Sequence, residues 1–112
     1  MKYMLQVRFN GADVAISNLP PDEQQVISAE FEAIGRLQGV LDGNQLQPLS
    51  TATTVHVNNG QPQVVSAVGA PGPLDGYYLY DAPDLTAAIA LAAQIPATRW
   101  GASVEVRPVV ER

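Results

Sequence analysis

The sequence predicts an α+β domain, and three observations predict it. Period-two alternation of apolar and polar residues marks a strand at each end of the chain. Two amphipathic helical segments lie between them, each opened by a start signal. Short β-branched or aromatic stretches, set off by Gly, Pro and Asn, fill the middle. The 112 residues allow one domain, spanning 1–112.

Residues 2–9, KYMLQVRF, alternate: Tyr3, Leu5, Val7 and Phe9 point one way, Met4, Gln6 and Arg8 the other. Residues 10–20 are rich in turn formers and read as a loop. Pro20-Pro21-Asp22-Glu23 then opens a helix. Proline suits the first helical position, and two acids in the first turn suit the helix dipole. Ile27, Phe31, Ile34 and Leu37 recur at helical spacing, and Gly39 is a candidate C-terminal cap, giving a helix over 21–38.

Residues 40–47 read as a short strand kinked near Gly43. Residues 51–57, TATTVHV, form a β-branched strand with Val55 and Val57 on one face and Thr54 and His56 on the other. Asn58-Asn59-Gly60 is a hairpin turn leading to a strand near 62–67. Residues 68–76, VGAPGPLDG, are too rich in Gly and Pro for regular structure. Residues 76–81, GYYLYD, form an aromatic strand. Asp84 caps a second helix over 85–95, with Leu85, Ile89, Ala92 and Ile95 facing inward and Pro96 ending it. Residues 102–109 alternate again, with Val104 and Val106 opposite Ser103, Glu105 and Arg107. The order of elements matches the ferredoxin-like β-α-β-β-α-β sandwich.

Composition excludes several functions. Six basic residues are scattered among eleven acids, for a net charge of −5. No cluster of cations is available for nucleic acid or an anionic membrane surface. With no cysteine there is no disulfide, thiolate nucleophile or Cys-ligated zinc. One histidine gives no His-rich metal site, so no metal and no cofactor are expected. No 18-residue apolar run and no signal peptide are evident, so a cytoplasmic protein is the expectation.

Both helices are expected on one sheet face, covering Leu5, Val7, Val104 and Val106 with Ile27, Phe31, Ile34, Leu85 and Ile89. The second face then carries Met4, Gln6, Arg8, Glu105 and Arg107. It also carries either Tyr77 or the Tyr78/Tyr80 pair, depending on register. Such a face is either left wet or paired with the sheet of a second copy, which would enclose a cavity. Tyrosines, apolar in body and polar at the tip, suit an interface.

This face supplies the candidate site. Histidine ordinarily titrates near neutrality, so His56 is a candidate general base, with Glu105 or Asp75 as its carboxylate partner. The plainer reading of His56 is an exposed strand residue. Gln6, Arg8 and Arg107 are candidate substrate-binding residues, since a guanidinium clamps a carboxylate through two bonds. The same Arg8, Glu105 and Arg107 also suit a cross-strand salt-bridge ladder. Tyr77, Tyr78 and Tyr80, with Trp100, are candidates to stack an aromatic substrate, or to fill core and interface. The 68–76 loop is no phosphate cradle, because a strand rather than a helix follows it.

MKYMLQVRF, LPPDEQQ, LQPLSTATTVHVNNG, GYYLYDAPDLTAAIALAAQIPA and VEVRPV, in this order and spacing, resemble the YCII-related, or DGPF, proteins nearly end to end. The resemblance implies a ferredoxin-like subunit of the dimeric α+β barrel superfamily. It implies a homodimer whose sheets face each other around a pocket. The Asp-Gly-Pro-Phe motif that names the family is replaced here by SAVGAPGPLD over 66–75. The histidine that some relatives pair with an aspartate has no counterpart in the first helix. The expected function is therefore binding of a small organic or aromatic metabolite between paired sheets, with lyase or isomerase chemistry. The alternative is a non-catalytic interaction or regulatory module that has lost the family's motif.

Overall fold

The computed structural model describes residues 1–66 and 74–112, with side chains described outside 65–73. Strand β1 (Lys2–Arg8) leads through a short helix α1 (Ala12–Ser17) to the long helix α2 (Pro21–Gly35). Strand β2 (Val40–Gln45) follows, then a 3-10 turn (Leu49–Thr51) and a hairpin of β3 (Thr53–Asn58) and β4 (Gln61–Ser66). Strand β5 (Gly76–Asp81), helix α3 (Leu85–Ala92), a 3-10 turn (Pro96–Trp100) and β6 (Ser103–Pro108) complete the chain. Most of the expected 68–76 loop lies outside the described residues; Gly76 already belongs to β5.

The main sheet has four strands in the order β2-β5-β1-β6, every neighbouring pair antiparallel. The hairpin forms a separate two-stranded sheet. This α+β arrangement is compatible with a ferredoxin-like fold. Tyr3, Leu5, Val7 and Tyr78 of the sheet meet Ile34, Ala88, Leu91 and Ile95 in one core. Phe31, Tyr80, Val104 and Val106 pack against it half-buried.

Several sequence expectations are corrected in detail. The 10–20 segment holds helix α1 rather than loop alone. Asn10 and Gly11 both have positive φ, 53° and 88°, so the turn they make is real but only two residues long. Helix α2 stops at Gly35 instead of 38, because the Arg36 and Leu37 N–H groups donate back three residues, to Ala33 and Ile34. Gly39 is not the cap. It turns the chain into β2 at φ 92°, where an added Cβ would lie 2.8 Å from the Asp81 carbonyl oxygen.

Helix α3 ends at Ala92 rather than 95, since Ile95 is held extended by Pro96. Its inward face is Ala88, Leu91 and Ala92, and Ile95 is buried just beyond its end. Leu85 and Ile89, expected inside, are 49% and 53% exposed. Asp84 does cap this helix: its carboxylate accepts from the Ala87 N–H at 2.9 Å. The hairpin turn is Asn59-Gly60, both at positive φ, as a two-residue type I′ turn requires.

Candidate functional site

Register decides which side chains share the open face of the sheet. Residues directly opposite one another on neighbouring strands project to the same side. Gln6 stands opposite Tyr77 on β5 and Glu105 on β6, and Tyr77 stands opposite Asn44 on β2. Met4 stands opposite Leu79 and Arg107. The open face is therefore crossed by the row Asn44–Tyr77–Gln6–Glu105, with Arg8 and Arg107 beside it.

Tyr78 and Tyr80 stand opposite Leu5 and Tyr3 and so lie on the helix-covered face, not with Gln6 and Arg8. Tyr78 is buried and its hydroxyl donates to the Phe31 carbonyl at 2.9 Å. Burial pushes its phenol pKa above the ordinary value of 10.0. The tyrosine of the open face is Tyr77. Its hydroxyl donates to Asp42 Oδ2 at 2.9 Å and accepts from Asn44 Nδ2 at 3.0 Å. Asp42 and Asn44 escaped the sequence reading. The signal for them was present as polar residues two apart in an edge strand.

Gln6 holds the centre of the face. Its Oε1 is buried and has no hydrogen-bond partner among the described residues. Arg8 Nη1 lies 3.9 Å from Glu105 Oε2, a loose cross-strand ion pair beside that acceptor. Arg107 is exposed on the same side.

The remaining candidates fall elsewhere. Asp75 is a structural anchor: its Oδ2 accepts from the Phe9 N–H at 2.7 Å, tying the entry of β5 to the end of β1. His56 stands on β3 opposite Gln63, in the other sheet from Glu105. His56 and Glu105 thus stand in different sheets of one chain, with Asp75 on the segment leading into β5. Trp100 sits in a groove with Leu19, Val26 and Glu30, under the Arg99 guanidinium, which lies 5.2 Å from its ring centre. Arg99 donates to both Glu30 carboxylate oxygens, at 2.8 and 3.0 Å, and so holds the Glu30 carboxyl below its ordinary pKa. This groove flanks α2 and is not part of the open face.

A groove of about 350 Å³ lies between α2 and strands β2 and β5, with Phe9, Phe31 and Tyr78 as apolar wall and Ser28 and Glu32 at its α2 edge. It too is on the helix side of the sheet. Among the described residues no group of three or more His, Asp or Glu side chains is placed to hold a metal ion. No described helix is long and apolar enough to cross a membrane. The chain matches no protein-family model and no curated protein.

Proposed function

We propose that this chain is a YCII-like small-molecule-binding protein of the dimeric α+β barrel type. In this reading the open sheet faces of two copies pair and enclose the ligand. The single observation carrying it is the buried, unpartnered Gln6 Oε1. An orphaned buried acceptor in the middle of a sheet face is costly, and the cost is relieved when the side chain turns outward to meet a donor. The ligand is a small organic metabolite with a hydrogen-bond donor for Gln6. Tyr77, Met4 and Leu79 offer it apolar surface, and Arg8 and Arg107 suit an anionic substituent. Turnover of such a ligand is lyase or isomerase chemistry, with Glu105 the proton-transfer group on the face.

The test is a metabolite panel screened by thermal shift on wild type and Gln6→Leu. Loss of the acceptor leaves the unliganded protein as stable as before, or more stable by up to about 1–3 kcal/mol. A compound that raises the wild-type melting temperature and leaves Gln6→Leu unmoved supports the site. Compounds that shift both proteins equally, or none, overturn it.

A second reading, a non-catalytic interaction module, is favoured by the hairpin. Val55, Val57 and Val64 expose 57%, 72% and 70% of their surface on one of its faces.

A further inference from the structure

Among the described residues the β3–β4 hairpin contributes nothing to the core. Val55 pairs with Val64 and Val57 with Pro62, so these four share one face. Among the described residues β3 and β4 pack on each other, and no other helix or strand has more than marginal contact with them. The arm projects: the Cα radius of gyration is 15.9 Å, against roughly 13 Å for a compact chain of about 100 residues. An isolated two-stranded hairpin is marginally stable at best in water.

Its chemistry is unlike that of the rest of the molecule. From Gly43 to Leu74 there is no Asp, Glu, Lys or Arg, and every formal charge lies outside that stretch. Solvated edge strands ordinarily carry charges that block pairing with other chains. Among the described residues this arm pairs with no further strand, and it has a valine face and no such charge.

We propose that the hairpin is a docking arm for a second copy of this chain, its Val55–Val57–Pro62–Val64 face packing on the same face of the twin. A two-fold axis brings identical patches together, and an apolar face is complementary to itself. The charge pattern selects the twin. Two copies at −5 repel wherever their charged surfaces meet, and an uncharged arm is where they approach without that cost. A specific interface buries roughly 800 Å² per partner; the arm faces supply one part and the open sheet faces the rest. The proposal rests on the paired-copy reading above and adds the element that holds the pair.

Sedimentation equilibrium of wild type, Val57→Lys/Val64→Lys and Val57→Glu/Val64→Glu tests it. The substituted side chains stand in solvent in the single chain, so both variants keep the wild-type circular dichroism and melting profile at low concentration. Each variant alone associates at least tenfold more weakly than wild type. An equimolar mixture of the two recovers the association, because opposite charges then meet across the axis. Variants that dimerise like wild type overturn the arm and leave sheet pairing standing, and a mixture that stays monomeric overturns the face-to-face packing of the two arms. A monomeric wild type overturns both. A dimer that needs the arm but gives no Gln6-dependent ligand keeps the arm and removes the binding function.

Discussion

Tyr78 shows how one side chain couples the sheet to the helix layer. Its ring lies over Gly43 of β2, where an added Cβ would meet Tyr78 Cδ1 at 2.5 Å. Its hydroxyl reaches across to the backbone of α2. The raised phenol pKa has a definite consequence for stability. Below about pH 10, the phenol is protonated in both folded and unfolded chains, and its contribution is intact. As pH rises through the unfolded value towards the folded one, the unfolded chain releases the proton first, and stability falls. Tyr78→Phe gives up one hydrogen bond, about 1 kcal/mol at neutral pH. It also removes this alkaline loss, so the gap between variant and wild type narrows above pH 10. Urea midpoints measured from pH 8 to 11.5 check this; a gap that stays constant contradicts it.

At the scale of elements, α3 sets a test of phase. Its buried residues, Ala88, Leu91 and Ala92, recur at i, i+3 and i+4, and Ile95 beyond its end is buried as well. Two of them are alanines, which let the helix lie close over β1 and β6. Leu91→Ala is expected to cost about 2–5 kcal/mol. Ile89→Ala, at an exposed site, should stay within about 0.5 kcal/mol. Chemical denaturation of both variants decides it, and a larger loss at Ile89 would contradict the phase. The sequence reading placed Leu85, Ile89, Ala92 and Ile95 inward, and only the last two are buried. Strands were more legible. Their side chains alternate strictly, so β1, β5 and β6 were bounded to within a residue or two, and Asn59-Gly60 announced its turn. Helix α1 was hidden because Asn10-Gly11 signals a turn and the helix after it is only six residues long. The open face was only half legible. Which tyrosines belong to it depends on how β5 registers against β1, and no single strand carries that information. Gln6, Arg8, Glu105 and Arg107 were placed from alternation alone, whereas Tyr77 needed the pairing.

At the scale of the whole molecule, the separation of charge from the arm makes association respond to salt in a definite direction. The six cations and eleven acids lie outside residues 43–74. Two molecules at −5 therefore repel through their bodies while their arms are neutral. Raising ionic strength from 0.1 to 1 M shortens the screening length from about 10 Å to about 3 Å. That weakens the net repulsion and does little to an apolar contact between valines. Self-association at pH 7.5 should thus hold or tighten as sodium chloride is added. A pair held by ion pairs between copies, for instance through Arg107 and Asp42 of the open face, behaves oppositely and loosens with salt. Sedimentation equilibrium across the salt series separates the two. Weakening that also disappears in Arg107→Gln would place the dimer's strength on the charged face of the sheet and not on the hairpin.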